Sequence, residues 1–300
     1  MITEQTTANG ISITYEDKGP KDAPVILLVM GLGGQLTLWP DEFVDALNAH
    51  GFRTIRYDNR DVGLSTRFEA AGVPNLKWMF VKAAIGLPVR PAYTLADMAA
   101  DGMALLDHLG IARAHIVGAS MGGMISQHIA ARYPGRTLSL TSVMSTTGNR
   151  RLPRARKEAM QALANRPMSG DPEAMIAYSI RTARVIGSPG YPAAEERLQR
   201  RVRADFERGW YPQGVARQMA AIVADGDRRE LLKSIKAPTL VIHGEDDPLV
   251  PMAGGKDTAA SIAGARLMTI PGMGHDLPLA LVDTLADAVA EHAKGVAVAA

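Results

Sequence analysis

The chain has 300 residues, 47% hydrophobic and 21% charged, with a formal net charge of +2. That balance excludes disordered, collagen-like and membrane-embedded polypeptides, and it makes nucleic acid an unexpected partner. Cysteine is absent, so disulfides, thiolate metal sites, iron–sulfur clusters and a cysteine nucleophile are excluded, and chemistry falls to Ser, His, Asp, Glu, Lys or Tyr.

In chain order, the opening stretch MITEQTTANG lacks the basic and apolar regions of a signal peptide, and the short apolar run Val25–Met30 cannot span a bilayer. A cytoplasmic protein without a membrane span is therefore expected. Ile11–Tyr15 reads as an antiparallel edge strand. Further strands are predicted at Val25–Met30, Arg53–Tyr57, His115–Val117, Leu138–Met144, Thr239–His243 and Arg266–Ile270. Helical periodicity falls between them, around Pro40–His50, Leu95–Leu109, Met121–Tyr133, Gly255–Ile262 and Pro278–His292. Continuous Val/Ile/Leu runs suit strands covered on both faces, so the pattern predicts an α/β fold with a mostly parallel central sheet flanked by helices. Gly295–Ala300 reads as a frayed tail.

One region breaks this rhythm. From Thr147 to Leu232 no β-like run occurs, and prolines divide short helical stretches. The expected organisation is a core of residues 1–146 and 233–300 interrupted by a helical cap, residues 147–232. The cap carries 15 Arg, 1 Lys and 10 acids, a net charge of +6 that leaves −4 for the remainder. Arginines on solvated helix faces account for this, and the alternative is attraction of an anionic substrate or partner.

The strongest chemical signal is His115–Met124 (HIVGASMGGM), a strand entering Gly118-x-Ser120-x-Gly122 and then a helix. A nucleophilic serine at such a bend needs glycines two residues either side, where side chains would collide, and the following helix directs its N-terminal amides and positive dipole end at the reaction centre. With these features the chain resembles the α/β-hydrolase superfamily from about Val25 to Leu281. Val29–Gly34 (VMGLGG), Ile55–Ser65 (IRYDNRDVGLS) and Pro271–His275 (PGMGH) resemble the bacterial esterases that include the aclacinomycin methylesterases.

The resemblance implies a catalytic Ser120 followed in chain order by an acid and then a histidine. His50, His108, His115, His128 and His243 fall too early for that order. His275 lies on the loop after the last predicted strand, whereas His292 sits late in the terminal helix and is expected to be exposed. His275 is thus the candidate base. Thr239–Pro251 (TLVIHGEDDPLVP) offers Glu245, Asp246 and Asp247 as the acid; by resemblance to relatives with an HGxxD pattern it is Asp247. Asp276 is set aside because adjacent loop side chains diverge.

The resemblance also implies an oxyanion hole from the backbone N–H groups of Leu32 and Met121. Where many relatives begin this loop with His-Gly, the present chain has Met30-Gly31, so a side chain that often braces the loop is missing. Asp58, Arg60 and Asp61 are expected to hold their turn together by ion pairs and side-chain-to-backbone bonds. Trp39, Met144, Trp210, Tyr211, Met219 and Met273 are candidate pocket residues. The implied function is serine ester hydrolysis of a small-molecule ester, extending to methyl esters, without metal or organic cofactor. Carbon–carbon bond hydrolysis, lactone hydrolysis, perhydrolysis, acyl transfer and a non-catalytic receptor on the same scaffold are the alternatives.

Overall fold

The computed structural model describes residues 3–164, 167 and 170–296, which leaves the end of the expected C-terminal tail outside the described residues. Its centre is an eight-stranded sheet of β1 (Glu4–Ala8), β2 (Ile11–Lys18), β3 (Val25–Val29), β4 (Arg53–Tyr57), β5 (Ala114–Ala119), β6 (Thr137–Val143), β7 (Thr239–Gly244) and β8 (Arg266–Ile270). The spatial order is β1-β2-β4-β3-β5-β6-β7-β8. Strands β3 to β8 pair in parallel, and β2 and β1 attach antiparallel beside β4. The expected edge strand at Ile11–Tyr15 is therefore an inner strand. The edge is β1, whose polar sequence EQTTA carries too little apolar alternation to announce it.

Every residue of β3 is buried, and alternation divides the strand between two cores. Leu27 and Val29 join Leu95, Met98 and Ile125 beneath α3 (Leu95–His108) and α4 (Met121–Arg132). Ile26 and Leu28 join Phe43, Leu47 and Leu285 beneath α1 (Asp41–Ala49) and α11 (Val282–Lys294). A capping box between Thr94 and Asp97 starts α3. One helix was not expected: α2 (Leu76–Ala84), with apolar residues on its inner and outer sides and hence no amphipathic period. His292, expected to face solvent, is buried instead, its Nε2 donating between the carbonyls of Leu140 and Pro238 at 3.2 Å each.

Between β6 and β7 the chain forms α5 (Lys157–Ala164), α6 (Pro172–Ile186), α7 (Glu195–Gly209), α8 (Pro212–Asp225) and α9 (Arg229–Leu232); α10 (Ala253–Ser261) follows β7. Several arginines of this insertion are held by acids of the sheet body. Arg217 of α8 meets both Asp61 oxygens at 2.8 Å, Arg208 of α7 reaches Asp58 at 2.8 Å, and Arg197 pairs with Glu42 at 2.9 Å. Among the described residues, three arginine ion pairs thus join the two parts.

Two stability consequences follow. Asp61 and Arg217 are both buried, and the carboxylate also accepts from Tyr93 Oη and Phe68 N, each at 2.7 Å. Arg217→Met leaves that buried charge uncompensated and should lower the unfolding free energy by about 3–5 kcal/mol. Arg203→Met, which removes an exposed pair with Glu173, should leave it almost unchanged in the same urea titration. His115 is buried against Phe52 and Ser139, and burial, with the neighbouring His292, pushes its imidazole down from 6.5 to about 4. Between those values the unfolded chain binds a proton that the folded chain does not. The contribution, on the order of 3 kcal/mol, is present above the upper value and lost as pH falls toward the lower. Unfolding titrations should show His115→Gln with a shallower acid slope than the parent.

Candidate active site

The bend between β5 and α4 shapes the site. Ser120 stands there with φ 56° and ψ −120°, a conformation that L-residues tolerate only when surrounding contacts enforce it. The Ser120 amide donates to Val143 O (2.9 Å) and its carbonyl accepts from Gly123 N (2.9 Å) and Ser145 Oγ (2.8 Å). The flanking glycines are required by space. A Cβ on Gly118 would lie 2.2 Å from the Gly122 carbonyl oxygen, and one on Gly122 would lie 1.9 Å from that of Val29. Removing both side chains lets helix, β5 and the loop after β3 approach each other closely.

Two loops from the carboxyl ends of β7 and β8 converge on this serine. His275 Nε2 lies 2.9 Å from Ser120 Oγ, and His275 Nδ1 lies 2.7 Å from Asp247 Oδ2. A carboxylate only accepts, so Nδ1 carries the ring proton and Nε2 is free to accept from the serine hydroxyl. The other Asp247 oxygen accepts from Leu249 N (2.9 Å) and Val250 N (2.8 Å), fixing the side chain in its own turn. Ser120 is half-buried, while His275 and Asp247 are buried. The other two acids of the loop have separate partners: Asp246 accepts from Gly272 N at 3.0 Å and Glu245 from Thr269 Oγ1 at 2.8 Å.

The loop after β3 lies against the serine, and a Cβ on Gly31 would sit 3.0 Å from Ser120 Cβ. Among the described residues neither Leu32 N nor Met121 N has a backbone acceptor; Met121 opens α4, where the first amides have no partner within the helix. The brace that the missing histidine would supply comes from other residues. Gln218 of α8 accepts from Gly33 N and donates to Arg60 O, both at 2.8 Å. Asn59 donates to Met30 O at 2.9 Å, and Asp58 accepts from Leu36 N at 2.8 Å. The expected side-chain-to-backbone bonds of the turn at 58–61 are present, Asp58 accepting from Leu64 N at 3.0 Å and Asp61 from Phe68 N at 2.7 Å, but the expected ion pairs among its own residues are not formed. Its charged residues reach outward, with Arg60 clasping Asp101 at 2.6 Å through two nitrogens.

The pocket candidates divide. Trp39, Met144 and Met273 are buried in the core beneath α1 and α11, with Trp39 stacked on Phe43 at 5.4 Å. Tyr211 is engaged by Arg217, which donates to its hydroxyl at 2.8 Å, and Trp210 packs against Phe206. Met219 is half-buried on α8. Among the described residues no group of His, Asp and Glu could hold a metal ion, and no helix is long and apolar enough to cross a membrane.

Ser188 and Asp276 were not singled out as supports of the site. His275 N donates to Ile186 O (2.7 Å), Gly274 N to Ser188 Oγ (2.8 Å), and Gly190 N to Gly272 O (2.9 Å). Ser188 Oγ in turn donates to Asp276, whose carboxyl burial pushes above the usual range. The segment linking α6 and α7 is thus stitched to the histidine loop. A lone serine in a Pro/Gly-rich stretch gives no periodic signal of this pairing.

The sequence profile of the α/β hydrolase fold matches residues 24–279, and the chain belongs to this family. It is 30% identical to rhodomycin D methylesterase of Streptomyces peucetius, covering 99% of this chain and all of that protein. It is also 28% identical to a bifunctional esterase/perhydrolase of Acinetobacter calcoaceticus, covering 93% and 95% of the two chains. A crystal structure of a hydrolase from Pseudomonas aeruginosa superposes with a TM-score of 0.70 at 28% identity, covering 99% and 98%.

Ser188→Ala frees the histidine loop on one side and should lower the turnover number for a soluble ester by roughly ten- to a hundredfold with little change in KM. Ser188→Thr, which keeps the hydroxyl, should recover much of that loss. An unchanged turnover number in the alanine variant would show that Ser188 does not position His275.

Proposed function

We propose that the protein is a serine carboxylic ester hydrolase acting through an acyl-enzyme. The observation that carries this reading is the continuous relay from Ser120 Oγ, at a strained bend, through His275 to Asp247, with 2.9 and 2.7 Å links. Ser120 Oγ attacks the ester carbonyl carbon while its proton passes to His275 Nε2, and Asp247 holds the imidazole tautomer and stabilises the imidazolium. The oxyanion formed is received by the amides of Leu32 and Met121, aided by the positive end of α4. Collapse of the intermediate breaks the carbon–oxygen bond, and His275 returns the proton to the departing alcohol. A water then attacks the acyl carbon, giving up its proton to His275, and the acid leaves as Ser120 is regenerated. The chemistry calls on no metal or organic cofactor.

The substrate class is a small to medium ester. A methyl ester of a polycyclic acid is the specific candidate, supported by full-length similarity to a protein named as a rhodomycin D methylesterase. Residues 147–232 serve as a cap that sets substrate size from above the serine. This assignment draws support from the bonds of Ile186 and Ser188 to the histidine loop and of Gln218 to the loop after β3.

Ser120→Ala should abolish both hydrolysis of a short p-nitrophenyl ester and labelling by a fluorophosphonate; persistent labelling would remove Ser120 from the role. Asp247→Asn should lower the turnover number by roughly 10³–10⁴-fold, against less than about tenfold for Asp246→Asn. The reverse ranking would transfer the role to Asp246. A panel of esters varying acyl and alcohol parts separately, with methyl esters of polycyclic aromatics included, tests the substrate class.

A further inference from the structure

The described residues expose eleven large apolar side chains, and six of them lie within fifteen residues: Val73, Trp78, Phe80, Val81, Ile85 and Leu87. Most project from α2 or the turn that follows it. The helix buries Met79 and Ala83 against the body, yet its outer surface is also apolar, with Trp78 53% and Ile85 64% exposed. A contiguous exposed apolar cluster of this kind marks a surface that a second apolar environment covers.

The charge of the segment identifies that environment. From Ala70 to Ala96 there is no acid, while Lys77, Lys82 and Arg90 are present. Lys82 Nζ stands 5.7 Å from the centre of the Trp78 ring, and Arg150 donates to Ala83 O near the end of the helix. Lys77 and Arg90 are exposed, and neither enters an ion pair among the described residues. Arg90, Pro91 and Trp78 also line an open cavity of about 370 Å³. Exposed Trp, Phe, Val and Ile among lysines and arginines, with no carboxylate between them, match the interface of an anionic bilayer, where apolar side chains enter the acyl boundary and cations meet lipid phosphates. A protein groove would need matching acids as well as an apolar floor, and a second copy would bring the same cations face to face.

We propose that the face formed by α2 and the residues around Arg90 docks the protein peripherally onto an anionic lipid surface. The helix follows the carboxyl end of β4 and packs beside α8, whose Arg217 also donates to Gly72 O at 2.7 Å. Docking therefore turns the side of the sheet that bears Ser120 toward the lipid. An ester dissolved in the bilayer then reaches the site from a concentrated phase. This inference is independent of the triad assignment, because the docking residues are absent from it.

The test is co-sedimentation of the full chain with vesicles of equal parts phosphatidylcholine and phosphatidylglycerol, compared with phosphatidylcholine alone. Binding should occur on the anionic vesicles and weaken as salt rises. Trp78→Ser with Ile85→Ser, both exposed positions, should reduce partitioning by roughly tenfold or more, and Lys77→Glu with Arg90→Glu should do the same. Ser120→Ala should bind as the parent does, and both double variants should keep hydrolysis of a water-soluble ester, which separates failed docking from failed folding and from failure of the catalytic reading. Absence of parental binding, or equal binding by the Trp78/Ile85 variant, overturns the proposal. So does a parental dimer in light scattering that this variant dissolves without any vesicle binding, since a second copy then covers the face.

Discussion

The constraint on which the rest depends is the burial of charge at residues 58–61. Asp58 and Asp61 lie at the carboxyl end of β4 with no exposed surface, and a carboxylate taken out of water is tolerated only when donors surround it. Those donors come from five places: an amide of the loop after β3, amides of residues 64 and 68, Tyr93, Arg208 of α7 and Arg217 of α8. Satisfying two acids therefore fixes the loop beside Ser120 and seats the helical insertion on the sheet. Gln218, one residue after Arg217, uses this anchorage to hold Gly33 and Arg60.

The site repeats this logic at smaller scale. Ser120 keeps an unfavourable backbone conformation because its amide and carbonyl are both bonded to neighbouring elements. His275 is oriented by Asp247 through its ring and by Ile186 through its backbone. Ser120 lies 155 positions from His275 and Asp247 lies 28 from it, and each is carried by a loop whose base is a strand of the sheet. Buried strands give those loops a rigid origin, and hydrogen bonds from the insertion remove much of their remaining freedom.

Charge is distributed for assembly as well as for solution. The +6 insertion faces a body of −4, and Arg197, Arg208 and Arg217 spend their charge on that body's acids. The solvated-face reading suits Arg184, Arg203 and Arg229, which pair with exposed acids within the insertion. By contrast, α2 presents cations beside uncovered apolar side chains, an arrangement that packing within the chain does not resolve.

Much of the architecture was legible because its determinants are local. Val25–Met30 and Thr239–His243 are largely apolar runs whose strand character depends on their own residues, and the Gly118, Ser120, Gly122 spacing describes a bend that forms within five positions. The polar β1, and α2 with apolar residues on both its inner and outer sides, lack the period on which such reading relies. Sequence by itself determined the alternating α/β pattern, the position of the elbow and the short list of acids and histidines. Only the tertiary structure decided that Asp247 meets His275 while Asp246 holds Gly272, that His292 is buried, and that arginines of the insertion close on Asp58 and Asp61. Those pairings join residues far apart in the chain, and which of several equivalent side chains meets a partner is set by how packed elements aim them, a quantity that residue type and spacing do not contain.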